Sequence, residues 1–175
     1  MSRPLPGKEY IYAKFEDEDQ IYQLSAAAVT LALDPIAYRD SVVLALDPMA
    51  VIKIMLRKKG VVQAVTREGT GPWVPVAPAV GPVNLAAITT LLEKMATLRA
   101  VRFERSERND LGIYGLKDPR GSLTFILSGQ EGIQKTLVLG EASEDLGVYA
   151  MVQGQEGVFI LPKALADQLL QDITR

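Results

Sequence analysis

From residue 121 onward, glycine interrupts the chain at short intervals. Four runs, 122–127 (SLTFIL), 135–139 (KTLVL), 148–152 (VYAMV) and 158–161 (VFIL), are rich in β-branched, aromatic and large apolar residues. Gly129, Gly132, Gly140, Gly147, Gly154 and Gly157 lie in their connections. A parallel crossover needs about a dozen or more connecting residues, usually a helix, and these gaps are shorter. Consecutive runs must therefore pair antiparallel, with glycine supplying the positive-φ conformations of tight turns. The pattern predicts a meander of hairpins and excludes a doubly wound parallel sheet for this half of the chain.

The first half carries the same signals. Segments 10–15 and 21–24 flank the acidic run Glu16-Asp17-Glu18-Asp19 and read as a hairpin. Ser25 can cap an Ala- and Leu-rich helix that Asp34-Pro35 stops. Segments 51–57 and 61–66 form a second hairpin around Lys58-Lys59-Gly60, and Pro75 places 73–76 at a sheet edge or a strand end. Asn84 caps the best amphipathic helix, with Leu85, Ile88, Leu91, Leu92, Met95 and Leu98 on one face. A short strand at 101–104 and a helical turn at 106–111 follow. Pro162 opens a last helix over 163–173. The expected fold class is α+β: antiparallel hairpins or meander sheets packed with about three helices.

The string LALDP occurs at 31–35 and again at 44–48. Its flanks differ, so it marks no repeat. The first copy ends a helix, and in the second Asp47 can cap a single turn before the strand at Val51. A weaker correspondence holds without gaps. Tyr12-Ala13 matches Tyr149-Ala150, Ile21-Tyr22-Gln23-Leu24 matches Val158-Phe159-Ile160-Leu161, and Ala27 and Leu33 match Ala164 and Leu170, each 137 positions apart (149 − 12). Three segments result: a hairpin–helix unit over 1–36, a central α+β portion over 37–146, and a matching hairpin–helix unit over 147–175. They form either one compact domain with pseudo-symmetric halves or part of a longer array, and chance similarity of two amphipathic hairpin–helix units is the third reading.

Composition narrows the chemistry. With no Cys and no His, the chain has no thiolate nucleophile, imidazole base or His- or Cys-based metal site. The 19 basic and 21 acidic residues are interspersed, which argues against a nucleic-acid surface. No apolar run is long enough to span a membrane. The acidic run 16–19 lacks the spaced ligands of a calcium loop and reads as a solvated tip. Arg57-Lys58-Lys59 reads as a solvated turn rather than a phosphate site. Segment 110–116 (DLGIYGL) lacks both GxGxxG and GK[ST] and reads as a turn with Leu111, Ile113 and Leu116 in the core. Trp73 reads as a core or edge plug rather than a ligand platform. No catalytic, cofactor-binding or metal residue is nominated, and no cofactor is expected.

Three strings carry a family resemblance. Tyr38-Arg39-Asp40, with Val43-Leu44, Asp47-Pro48 and Val51-Ile52, is one. The segment 109–116 with Pro119 is the second, and the pair Tyr149-Ala150 and 158–161 is the third. Over residues 10–173 the chain resembles the domain of unknown function 4340 family. The resemblance implies a bacterial protein held outside the cytoplasmic membrane by one N-terminal anchor, encoded near auxiliary components of ABC transporters of the gliding-motility type. It implies no site residues. Residues 1–175 contain no such anchor, so any anchor or export signal is expected outside this chain. The resulting expectation is a non-catalytic, extracytoplasmic module that assists an ABC-transporter-type envelope complex through protein contacts. The alternatives are a small-ligand or polysaccharide binder and, last, a carboxylate hydrolase. Expected partners are membrane transporter subunits, with no nucleic acid and no direct membrane insertion.

Overall fold

The computed structural model describes residues 10–14, 19–25, 27, 29, 40–77, 81–104, 111–129, 133–143 and 147–175. The chain divides into one unit ending at Asp40 and a second from Ser41 to Arg175. In the first, β1 (Tyr10–Ala13) and β2 (Tyr22–Ser25) pair antiparallel, and Ala27 and Val29 are helical. Lys14 Nζ reaches Asp19 Oδ1 at 2.9 Å in solvent. Residues 16–18, nearly all of the expected first helix and the first LALDP lie outside the described residues.

The second unit is built on one antiparallel sheet. Its first hairpin joins β4 (Val51–Lys58) to β5 (Val61–Thr66). Lys59 and Gly60 both have positive φ, 50° and 77°, the turn whose twist matches that of paired strands. The meander follows as β9 (Gly121–Leu127), β10 (Gln134–Ser143), β11 (Gly147–Val152) and β12 (Phe159–Leu161). β4 pairs with β9, which fuses hairpin and meander. Two short strands, β6 (Val74–Pro75) and β8 (Arg102–Phe103), finish the edges, giving the order β6-β5-β4-β9-β10-β11-β12-β8. A separate small pair joins β3 (Val42–Leu44) to β7 (Leu98–Arg99). Asp47 caps the turn before β4 as its position predicts: its Oδ1 accepts from Met49 N at 2.9 Å.

Two helices, α1 (Leu85–Ala96) and α2 (Lys163–Leu169), contribute to the core on one face of the sheet. Asn84 Oδ1 accepts from Ala87 N, as expected of the cap. Ile88, Leu91, Leu92 and Met95 of α1 and Ala166 and Leu169 of α2 meet Ile54, Leu56, Leu123, Phe125, Leu137 and Leu139 in one apolar cluster. Leu85, on the same stripe, stays exposed at 59%.

The fold class expected from sequence is corrected. Among the described elements β-structure dominates, and two helices, not about three, accompany an eight-stranded antiparallel sheet. The physical reason is edge pairing. A hairpin standing alone leaves backbone donors and acceptors open on its outer edges, whereas the β4–β9 seam satisfies two such edges at once. β10 also runs ten residues, twice the length of the predicted segment 135–139. The last helix ends at Leu169 rather than at 173 because the chain beyond it is held by tertiary bonds. Gln63 Oε1 accepts from Ile173 N and Thr174 N at 2.8 and 3.1 Å, Thr174 bridges to Val83, and Asn84 N donates to Ile173 O.

Asp172 sits in that clasp. Lys58 Nζ donates to Asp172 Oδ1 at 2.8 Å and to Leu170 O at 2.9 Å, and Gln63 Nε2 donates to the same carboxylate at 3.0 Å. The hydrogen bond from Lys58 holds the carboxyl below its ordinary value, against a smaller opposing effect of desolvation. A depressed folded pKa stabilises above the unfolded value and is lost as pH falls through the folded one. The urea midpoint should therefore fall with acidification below about pH 4, and less steeply in Asp172→Asn. Both partners are partly exposed, so the difference should stay under about 1 kcal/mol. Identical acid profiles would remove the clasp from the stability of the fold.

Leu92 tests the helix–sheet core. At 8% exposure within the apolar cluster, Leu92→Asp leaves a carboxylate without a partner. The expected loss is about 3–5 kcal/mol, comparable to a whole domain's stability. A soluble variant with unchanged melting would make α1 peripheral.

Candidate functional site: the groove on the open sheet face

The face of the sheet away from α1 and α2 carries the alternate side chains of the central strands. Thr124 of β9 stands opposite Thr136 of β10 in register, and their hydroxyls bond at 3.1 Å. Both are nearly buried, at 9% and 6% exposure. Gln134 Nε2 approaches Thr136 Oγ1 at 3.4 Å. Met55 of β4 and Met151 of β11 flank this polar strip, and Gln153 lies just beyond β11. The result is the floor of an open groove of about 910 Å³.

One wall is the segment DLGIYGL. Its described part forms a 3-10 turn over Leu111–Tyr114 that lies across the outer face of β10. Tyr114 and Leu116 bury against Val138 and Val158, and the Tyr114 ring meets Tyr149 edge-on at 4.9 Å between centroids. The chain approaches so closely that a Cβ on Gly140 would lie 2.1 Å from the Tyr114 carbonyl oxygen. Ile113, expected in the core, is instead 53% exposed, and Tyr114 takes the buried place. Lys117, Asp118 and Pro119 continue this wall, and Lys59 and Arg57 also line the groove. The described lining thus brings three cations and one carboxylate together.

The remaining sequence candidates fall elsewhere. Within Arg57-Lys58-Lys59, Arg57 and Lys59 face the groove while Lys58 turns to the C-terminal clasp. Lys117 joins them from 60 residues away, which local charge spacing could not reveal. Trp73 packs against the main core, and the Arg67 guanidinium lies over its ring at 4.6 Å. Arg67 also donates to Val51 O at 2.8 Å and to Pro48 O, so Trp73 and Arg67 together pin the turn before β4. Among the described residues, no three His, Cys, Asp or Glu side chains cluster as metal ligands. No described helix is long and apolar enough to cross a membrane.

The Gly140 contact is testable. Gly140→Ala forces the turn off β10 or strains the strand, at a cost of about 1–3 kcal/mol. The melting temperature should drop, and the Tyr149 ring-proton shifts should move as Tyr114 leaves. Unchanged stability with unchanged shifts would show that the wall is not pressed against the sheet.

No curated protein and no solved structure is a significant match to the chain. A family model does match residues 73–175, from just before β6 through the wall, the meander and α2. The matched span excludes the Tyr38–Val51 string and also β4 and β5, which lie in the sheet between β6 and β9. Because the match covers more than half of the sequence and includes both DLGIYGL and the β11–β12 strand pair, the chain belongs to the family described as a domain of unknown function, DUF4340.

Proposed function

We propose that this chain is a non-catalytic binding module whose open sheet face receives an extended, acidic segment of a protein partner. The groove carries the proposal: a trough of about 910 Å³ with a polar strip, two methionines and three cationic lining residues. Methionine side chains adapt to varied surfaces, and backbone amides of a peptide suit the Thr and Gln groups of the floor. Among the described lining residues, Arg57, Lys59 and Lys117 stand with one carboxylate, Asp118, a balance that favours an acidic occupant. Strand addition at an edge is the less suitable mode, because β6 and β8 offer two residues each and β6 contains Pro75. The family resemblance suggests the setting: an extracytoplasmic complex assisting an ABC-type transporter, with membrane transporter subunits as partners.

A small-ligand or polysaccharide binder is the second reading, favoured by the hydroxyl and amide groups of the floor. No aromatic ring is among the described lining residues, so the stacking platform that sugars commonly use is missing from it. A carboxylate hydrolase needs two converging acids, and the described lining offers only Asp118.

Co-purification of the full-length protein from its native membrane tests the proposal. Transporter subunits should be recovered with the unaltered protein. The triple change Arg57→Glu, Lys59→Glu, Lys117→Glu should cut that recovery about tenfold or more while leaving melting within a few degrees. Recovery of no transporter subunit, or recovery insensitive to the triple change, overturns this assignment. Glycan-array binding lost in the triple variant would favour the second reading.

A further inference from the structure

The hairpins β1–β2 and β11–β12 share one register. Ile11 pairs with Leu24, and Val148 pairs with Leu161. Both partners are displaced by the same 137 positions (148 − 11 and 161 − 24). Tyr12↔Gln23 and Ala13↔Tyr22 recur in the same way as Tyr149↔Ile160 and Ala150↔Phe159. Because a slip of one residue would turn every side chain to the other face, this agreement assigns each side chain of the first hairpin an equivalent in the second.

Their surroundings differ. The second hairpin lies between β10, along the outer edge of β11, and β8, along the outer edge of β12. There Val158, Phe159 and Leu161 are 2%, 3% and 0% exposed. Their equivalents Ile21, Tyr22 and Leu24 are 70%, 36% and 37% exposed, and the described sheet around them has two strands. Two strands alone rarely suffice for a stable sheet, and the first hairpin has the apolar residues of a covered one.

We propose that β1–β2 closes the sheet of another domain of this same fold, taking a β10-like strand along β1 and a β8-like strand along β2. The occupant is defined by the second hairpin: a sheet of this family that supplies those two strands and an apolar inner face. A second copy of this chain does not qualify, because its own β11–β12 hairpin already fills that place. The residues involved are separate from the groove, so this inference stands whether or not the groove binds a protein.

Hydrogen exchange on the full chain tests it. Amides of β1 and β2 should exchange on the order of 100-fold faster than those of β11 and β12, since backbone protection follows sheet closure. A second protein exchanges segments 10–34 and 147–171 within the full chain. It should unfold cooperatively, with protection moving to residues 10–34 in their new place and leaving 147–171. A gentler variant carries only 10–13 and 21–25 at positions 147–150 and 158–162. Failure of both variants to fold overturns the equivalence. Equal protection of the two hairpins in the unaltered monomer overturns the proposal, and so does a concentration-dependent dimer in which β1–β2 becomes protected.

Discussion

The antiparallel seam between β4 and β9, from Val51↔Leu127 to Lys58↔Gly121, is the contact on which the second unit depends. It joins strands some 70 residues apart in sequence. Without it, β4–β5 would be an isolated hairpin and β9–β12 a meander with a bare edge. With it, Ile54, Leu56, Leu123 and Phe125 form one apolar surface broad enough for both helices. Closing so long a loop is entropically costly, and the buried area on that face offsets the cost.

The same seam builds the candidate site. Strand alternation that sends Leu56 and Leu123 inward sends Arg57, Ser122 and Thr124 outward. Two further constraints shape the outer face. The turn Leu111–Tyr114 covers the sheet at β10 and β11 beside the Thr124–Thr136 pair, and Gly140 permits its close approach. Alternation also puts Lys58 on the inner face, where the Asp172 clasp holds it, while Arg57 and Lys59 line the groove.

Local signals were the readable ones. The β4–β5 hairpin, the Asn84 cap, the Ile88–Met95 stripe, the Asp47 turn and the edge position of Pro75 all follow from spacing and turn chemistry within about ten residues. The β3–β7 pair was not legible, because its strands are three and two residues long and lie more than 50 positions apart. Ile113 was misplaced for a related reason: in a 3-10 turn only some side chains face the covering surface, and Tyr114 takes that position. The groove was not legible at all, since Arg57 and Lys117 look like unrelated solvated charges until β4 and β9 bring their loops together.

The sequence by itself determined the antiparallel character of the chain, the positions of its turns and the absence of imidazole and thiol chemistry. Each of these depends on residue type and on neighbours a few positions away. Tertiary structure decided that hairpin and meander are one eight-stranded sheet, and that Arg57, Lys59 and Lys117 line one groove on it. Those outcomes depend on which distant edges meet, and edge pairing runs through backbone groups that are the same in nearly every residue.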